Sequence, residues 1–420
     1  MTISAGIMKL FLHLFWKFVI GILIFSGCFL LFELILFFAA PVYDFYQPGP
    51  FTGSQWYNPY KEMDNTLWRK TNFHFHTRAW GGLTSGRNNT HDVFYKTYKR
   101  FDYDAPQISN YQRIDKFFED SSFYIPAYEH GYGIQKKHQL LIGSKKVLWL
   151  DYPLYQNVHH KQHIINLLRN DNDIVALAHP DWENGYPLDQ IGYFSNYDLL
   201  EVLNHNWRSE PQWDSALSSG RPVFIIASDD GHNIGNPSEI QRCVTYINAK
   251  NVDRRTLINS LKTGNAFGAE IYQMDNESFD RKVELAKEIP ILHSVTIRND
   301  TLRIAVSVKA FKFNFIGQGG QIKKTIRLTD TAWYKLKPED TYIRTEIIFI
   351  KKFDFPYVGQ GTRFLLNPVF RYDGKQPSNI LTAEINWPRT WILRIFGHGS
   401  LIALLCFIIY MRRKRKKQQI

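Results

Sequence analysis

The segment FHFH, residues 73–76, places two histidines one residue apart in a short apolar run. Side chains alternate between the two faces of a strand, so His74 and His76 point the same way. A turn at Gly81-Gly82 follows. Two imidazoles directed at one point are the beginning of a metal site. Taken alone, a surface strand that carries two polar residues is the simpler interpretation.

Further imidazoles and carboxylates stand at the ends of other strand-like segments: Glu129, His138, His179, Asp230 and His232. Sites in parallel α/β folds form at the carboxyl ends of the strands. Each residue alone has an ordinary explanation, such as a cap or a salt bridge, but their joint placement predicts one site. Mixed imidazole and carboxylate ligands suit Zn, Mn or Fe rather than Mg or Ca. Only Cys243 lies outside the apolar ends of the chain, which excludes a cysteine metal cluster.

The elements that must position these residues alternate in type between residues 66 and 270. Helix-like segments lie at 160–170 and 253–264. The strand-like segments are FHFH, YIPAYE (124–129), HQLLIG (138–143), DIVALAH (173–179), DLLEVLN (198–204) and PVFIIAS (222–228). This alternation predicts an α/β fold with a mainly parallel sheet, open or closed into a barrel.

The chain of 420 residues is long enough for two or three domains. Residues 41–65 are rich in Pro, Gly, Tyr and Asn and are predicted to be a linker. The α/β domain is predicted at 66–270. Residues 285–388 show period-two alternation, as in SVTIRNDTLRIAVSVKAF, which predicts a small all-β, sandwich-like domain.

Both ends of the chain are predicted to be transmembrane helices. Residues 18–40 carry one charge, Glu33, and are long enough to cross a hydrocarbon core of roughly 30 Å. A signal peptide is the alternative, but Pro41 makes a poor cleavage context, so an uncleaved anchor is favoured. The second span is predicted at 391–411, with Arg394 near its start, where the side chain can reach the interface.

The basic run RRKRKK after the second span predicts the orientation in the membrane. Positive charge beside a span stays cytoplasmic, so residues 1–17 and 412–420 are predicted inside and the body outside a bacterial inner membrane. This run supplies six of the net charge of +12, so the basic balance reflects topology. The sequence shows no nucleic-acid motif, and no nucleic-acid partner is expected.

The motif order His-x-His, Glu, Ala-His-Pro and Ser-Asp-Asp-x-His resembles the polymerase and histidinol phosphatase (PHP) family of metal-dependent phosphoesterases. The resemblance covers roughly residues 66–270. The stretch NPYKEMDNTLWRKTNFHFHT is also similar to a membrane-associated bacterial branch with a β-rich tail. The resemblance implies a distorted α/β barrel with a site for two or three metals.

Two metal positions that share one carboxylate are implied by this resemblance. The implied ligands are His74, His76 and Asp230 for the first metal, His138 and His179 for the second, and Glu129 as the bridge. The spacing after Glu129 varies in the family, so His160 and His163 are the alternatives to His138. His130 is a poor substitute, because neighbouring strand residues face opposite ways.

The resemblance makes His232 a ligand of a third metal or a contact to the substrate phosphate. With Glu129 and Asp230 it completes the implied catalytic set. Arg78 and Arg87 flank the Gly-Gly turn and are candidates for binding the phosphoryl group, with solvated surface arginines as the alternative.

One segment departs from the family pattern. In ISNYQ (108–112), Asn110 stands where the family has Asp and Tyr111 where it has His. Neither is a strong ligand near neutral pH, so a third metal is doubtful and two divalent ions are expected. His91 is the alternative source of the missing ligand.

The implied reaction is hydrolysis of phosphate esters by a hydroxide that two cations activate. One alternative is an impaired, PHP-like binding protein, because Asn110 and Tyr111 alter the site. The other is a hydrolase of a non-phosphate bond, such as C–N. Six retained ligands favour the enzyme.

Membrane attachment predicts an envelope or lipid-derived phosphate as the substrate, and the sequence does not select one. Asn204 is predicted either to orient a ligand or to cap the next helix.

Overall fold

We describe the protein from a computed structural model, in which the described residues are 5–84, 86, 88–271, 278–352, 358–375, 377, 379 and 383–417. The chain forms two compact units. The first comprises the residues up to Asp44, Tyr152–His163 and the residues from Glu384 onward. The second comprises Phe45–Asp151 and Ile164–Ala383.

The described residues contain eight α-helices and seventeen strands. The helices are α1 (Ala5–Ala39), α2 (His91–Arg100), α3 (Val158–Arg169), α4 (Leu188–Ile191), α5 (Glu210–Ser218), α6 (Arg254–Lys262), α7 (Phe279–Ala286) and α8 (Trp387–Lys417). The strands are β1 (Tyr43–Asp44), β2 (Gln55–Tyr57), β3 (Trp68–Asn72), β4 (Ala105–Pro106), β5 (Ala127–His130), β6 (Gln139–Ile142), β7 (Ile174–Leu177), β8 (Leu199–Asn204), β9 (Phe224–Ser228), β10 (Cys243–Asn248), β11 (Ala266–Ile271), β12 (Leu292–Arg298), β13 (Thr301–Gly317), β14 (Gln321–Lys335), β15 (Tyr342–Lys352), β16 (Val358–Tyr372) and β17 (Glu384–Ile385).

The first unit contains two helices that are long and apolar enough to cross a membrane. The apolar stretches are Met8–Ala39, with a mean hydropathy of 2.6, and Trp387–Arg415, with 2.1. The first begins ten residues before the predicted span 18–40 and ends one residue before its end, and the second extends beyond the predicted span 391–411 at both ends. Arg394 of α8 donates from Nη2 to the carbonyl of Ala39 at 2.6 Å. This bond satisfies one of the carbonyls that the last turn of a helix leaves unpaired.

The second unit contains a five-stranded sheet in the order β5-β6-β7-β8-β9. Its strands are buried throughout, which agrees with the continuous apolar runs that predicted them. The β7–β8 and β8–β9 pairs are parallel, whereas β5–β6 and β6–β7 are antiparallel. The prediction of a mainly parallel sheet is therefore wrong for this sheet. A short loop joins β5 to β6, and only antiparallel strands can be joined so directly.

A ten-stranded sheet of the second unit has the main order β12-β13-β15-β16-β11-β10-β3-β4. The strand character predicted after residue 285 is present in β12 to β16. Phe267 of β11 pairs with Leu366 of β16, so this all-β segment and the α/β segment share one ladder. The boundary between two domains, and the sandwich, stay predictions.

Short links outside the named strands connect the two sheets around the candidate site. Phe75, just after β3, forms a parallel bridge with Gly231, just after β9. The N–H of Ser109 donates to the carbonyl of Phe75 at 2.9 Å. Tyr111 then forms a parallel bridge with Glu129 of β5. The backbone around the site is thus fixed from both sheets.

Candidate metal centre

Four side chains converge where strands β3, β5 and β9 end: those of His74, His76, Glu129 and Asp230. Nε2 of His74 lies 3.1 Å from Oε2 of Glu129 and 3.2 Å from Oδ1 of Asp230. Nε2 of His76 lies 3.1 Å and 3.3 Å from the same two oxygens. Ligands at about 2.0–2.1 Å around a tetrahedral zinc ion are about 3.3 Å apart. The spacing of the four atoms therefore fits one divalent cation at their centre.

A second group forms on the other oxygen of the same glutamate. Oε1 of Glu129 lies 2.6 Å from Nδ1 of His138 and 3.2 Å from Nε2 of His179. The two oxygens of Glu129 thus face two separate sets of imidazoles. One carboxylate thus joins the two groups, each of which could hold a metal ion.

The four atoms of the first group provide a test of whether a cation fits. Nε2 of His74, Nε2 of His76, Oε2 of Glu129 and Oδ1 of Asp230 are all buried without a hydrogen-bond partner among the described residues. Each unsatisfied buried polar atom costs about 1–3 kcal/mol. One cation would satisfy all four, and imidazole with carboxylate suits Zn, Mn or Fe. The residues present therefore fit a metal ion.

The electrostatics of the site also favour a positive charge. Burial by itself lowers the pKa of His74, but Asp230, Glu201 and Glu129 raise it well above its usual value. Burial also lowers the pKa of His76, but the carboxylates of Glu129 and Asp230, 3.1 Å and 3.3 Å from its Nε2, outweigh burial and raise the pKa. Burial opposes ionisation of Glu129, yet the neighbouring histidines hold its pKa well below the usual range. The surrounding carboxylates therefore favour a positive charge among these side chains.

A third carboxylate, Glu201 of β8, holds the ligands in place. Its Oε1 accepts from Nδ1 of His74 at 2.9 Å, and its Oε2 accepts from the N–H of His179 at 3.0 Å. A carboxylate behind a ligating histidine fixes the tautomer and orients the ring. Nδ2 of Asn204 donates to Oδ2 of Asp230 at 3.0 Å, so Asn204 has the contact expected of a residue that orients a ligand.

Sequence reasoning missed Glu201. It stands in the middle of a strand whose residues are all buried, whereas every predicted ligand stands at the end of an apolar run. The available signal was the charge itself, because a carboxylate in a buried strand requires a partner.

Two of the ligands occupy strained backbone conformations. His179 has a φ of 28° and Asp230 a φ of 47°. Residues other than glycine rarely adopt positive φ, and the cost is about 1–3 kcal/mol each. The N–H of Asp230 donates to the carbonyl of His74 at 2.8 Å, which holds the backbone at Asp230 in place.

The structure brings His138 rather than its two alternatives into the group. His163 bonds through Nδ1 to the hydroxyl of Tyr152, and His160 lies with His163 in the other unit. His130 bonds to Gln139 through Nδ1 at 2.6 Å.

Gly131 makes room for His138. A Cβ at this position would lie 2.6 Å from Cδ2 of His138, and its φ of 125° also disfavours other residues.

In the segment ISNYQ (108–112), which departs from the family pattern, the side chain of Asn110 makes local hydrogen bonds. Asn110 accepts from the N–H of Thr77 at 2.9 Å through Oδ1, and Nδ2 donates to the Thr77 hydroxyl. Its amide is therefore engaged in the loop after the histidines.

His91 bonds to Asp115 through Nε2 at 2.9 Å. The alternative ligand His91 is thus paired away from the candidate site.

Tyr111 lies beside both groups. Its ring stacks on His76 at 4.4 Å and meets His138 edge-on at 5.6 Å. Burial, reinforced by the charges of Glu129 and Asp230, raises the pKa of Tyr111 well above its usual value. The phenol therefore keeps its proton.

His232 lies next to the compact group but outside it. Its ring is 4.3 Å from that of His76, and its Nδ1 donates to the carbonyl of Asp230 at 2.8 Å. This tautomer leaves Nε2 as the accepting nitrogen. Burial, reinforced by the neighbouring His76, lowers the pKa of His232, so the ring is neutral near pH 7.

A cavity of about 750 Å³ opens beside these residues. Tyr111, His138 and His232 form part of its wall. Its described lining contains one cation, Lys136, and does not include Arg78, which is exposed. Arg87 lies outside the described residues. Binding of a phosphoryl group by either arginine stays a prediction.

Comparison with known proteins gives one remote likeness. No family model matches the chain, and no curated protein matches it. The chain is similar to a crystal structure of a two-domain protein containing a predicted PHP-like metal-dependent phosphoesterase from Bacteroides vulgatus, with 14% sequence identity and a TM-score of 0.35. The match covers 75% of this chain and 99% of that chain.

Proposed function

We propose that the protein is a metal-dependent hydrolase that cleaves phosphate esters at a site for two divalent ions, in the manner of the PHP family. The observation that carries this proposal is the position of Glu129. Its two oxygens face His74 and His76 on one side and His138 and His179 on the other.

The backbone links around the site support the distorted barrel that the sequence predicts. The segment after β3 connects to the end of β9 on one side and to the segment after β4 on the other. The segment after β4 in turn bridges to β5. We infer that β5 to β9 and these two segments form a closed, irregular wall around the ligands.

Each ligand has a defined task in this proposal. His74, His76 and Asp230 would hold one ion, and His138 and His179 the other, with Glu129 shared between them. Two bound divalent ions supply an activated water as the nucleophile and neutralise charge on the phosphoryl oxygens.

The chain's own residues on the cavity side would bind and orient the ester. The protonated phenol of Tyr111 lines the cavity and would donate a hydrogen bond to a phosphoryl oxygen. His232, whose Nε2 is the accepting nitrogen, would accept a hydrogen bond from the substrate.

We also propose that the body lies outside a bacterial inner membrane, held by α1 and α8. The apolar character of both helices and the basic run RRKRKK after the second support this location. The bilayer and a phosphorylated envelope or lipid-derived compound are then the proposed partners.

The test combines metal analysis with phosphate release, using the full chain in detergent. We expect about two ions per chain by mass spectrometry, of Zn, Mn or Fe, since Asn110 and Tyr111 replace the ligands of a third. Chelation should abolish phosphate release from a panel of phosphomonoesters, and the same ions should restore it. Retained metal with no phosphate release would favour the binding-protein or non-phosphate alternatives, and no retained metal would refute the assignment of the site.

A further inference from the structure

The cavity beside the metal centre is lined mainly by aromatic side chains. Trp80, Trp149 and Trp182 contribute to the described lining, together with Tyr111 and Tyr132. Trp80 and Trp149 meet edge to face, with ring centroids 6.1 Å apart. The ammonium of Lys136 lies 5.2 Å from the centre of the Trp182 ring. Its volume, about 750 Å³, suits a ligand well beyond a bare phosphate ion.

One polar side chain in this aromatic wall points to what the ligand must offer. Gln112 lines the cavity and is only 6% exposed, yet neither Nε2 nor Oε1 has a hydrogen-bond partner among the described residues. Its backbone has a φ of 49°, and its N–H donates to the carbonyl of Glu129 at 2.8 Å. The side chain is therefore fixed next to the bridging ligand with a donor and an acceptor unused.

We propose that the substrate is a phosphate monoester of a ring-bearing polar alcohol, such as a sugar or a nucleoside. This inference rests on the proposed function, because the metal centre is taken to hold the phosphate. The ring would lie against the aromatic side chains of Trp80 and Trp149. A hydroxyl or a base edge of the ligand would pair with the amide of Gln112, which presents one donor pair and one acceptor.

An alkyl chain fits this cavity less well. It would cover Gln112 without satisfying the amide, and a buried unpaired polar group is costly. The described lining also contains only one aliphatic side chain of size, Leu83, beside five aromatic rings. Aromatic faces favour flat or ring-shaped partners with specific geometry.

The experiment compares glucose 6-phosphate, adenosine monophosphate and octyl phosphate as ligands of the full chain in detergent. Calorimetric titration of the metal-loaded protein with the phosphonate analogue of each ester measures binding without hydrolysis, and phosphate release from the esters themselves is measured separately. The variants are Gln112→Leu and Trp149→Leu. Their matched controls are Gln321→Leu and Trp333→Leu, at exposed positions of β14.

We expect the wild type to bind one of the two ring-bearing esters more tightly than octyl phosphate, and the tighter of the two identifies the ring as sugar or nucleoside. Gln112→Leu should weaken that binding about fivefold or more and leave octyl phosphate unchanged or improved. Trp149→Leu should weaken it without touching Gln112, which keeps the test open if the first variant folds poorly. The controls should bind as the wild type does.

Tightest binding of octyl phosphate, or equal losses for all three ligands in Gln112→Leu, would overturn the inference. Selective binding of a ring-bearing ester without phosphate release would refute the proposed function and retain this inference. Release of phosphate from all three esters at equal efficiency, with equal binding, would support the proposed function and refute this inference.

Discussion

At the scale of single residues, the site depends on one carboxylate that two groups of imidazoles share. Glu129 is fully buried and within 3.2 Å of four histidine nitrogens. Its removal would leave both metal positions without an anion between them. His232 has a different position, since it lies beside His76 at the cavity wall and is partly exposed.

We therefore expect Glu129→Ala to lose most of both ions, because no neighbouring side chain can replace a bridging oxygen. His232→Ala should keep about two ions and lose activity instead. Metal content per folded chain, measured by mass spectrometry after gel filtration, distinguishes the two. Glu339→Ala, at an exposed position, is the control. Full metal content in Glu129→Ala would contradict the bridge.

Glu201 supplies a second expectation at this scale. Glu201→Gln preserves the size of the side chain but removes the charge behind His74 and one acceptor. Loss of such a partner typically lowers metal affinity or activity by about 10–100-fold. Competition with a chromogenic chelator should show this loss for the more tightly held ion. Unchanged affinity would mean that Glu201 only supports the backbone of His179.

At the scale of elements, the strands of the five-stranded sheet could be predicted because each is a short, buried apolar run. The prediction of FHFH as a strand was wrong: β3 ends at Asn72, and within FHFH only Phe75 forms an isolated bridge. DIVALAH became β7 with His179 two residues beyond its end, and PVFIIAS became β9 with Asp230 two residues beyond. Periodicity does not encode direction, so the antiparallel β5–β6 and β6–β7 pairs were missed. Glu201 was missed for a related reason. Its partners His74 and His179 follow two other strands, β3 and β7, and periodicity does not show which strands lie side by side.

The loop between β5 and β6 offers a prediction that belongs to this scale. Gly131→Ala places a Cβ against the His138 ring and should displace it, lowering the occupancy of the second metal position. Metal content should fall from about two ions toward one, with a matching loss of phosphate release.

Gly319→Ala is the matched control, because Gly319 also has a positive φ but nothing lies within 4 Å of an added Cβ. It should cost about 1–3 kcal/mol of stability, because alanine is strained at a positive φ, and leave the metal content unchanged. Two ions in Gly131→Ala would show that the ring of His138 can shift and still bind.

At the scale of the whole molecule, the chain has an apolar helix before the body and another after it, and the second helix ends in a basic run. Length and composition were enough to predict these helices, because a span needs only a sustained apolar run. The side of the membrane on which the body lies stays a prediction from charge.

Protease added to spheroplasts should therefore degrade the body and spare an epitope tag placed after residue 420. The positive charges of the tail oppose its transfer across the membrane. Lysed cells, in which protease reaches both sides, provide the control. A protected body with a digested tag would reverse the proposed orientation.

The shared position of Glu129 also bears on the order in which ions enter. The proposed first position has two carboxylates, Asp230 and Glu129. The proposed second position has one carboxylate oxygen, Oε1 of Glu129, beside two histidines. Affinity rises with the charge of the ligand set, so the first position should fill at lower metal concentration. Two cations on one carboxylate would repel each other, and linkage would make each weaken the binding of the other by the same factor. A half-filled, inactive form should accumulate when metal is scarce, and catalysis should begin only with the second, weaker step of the titration.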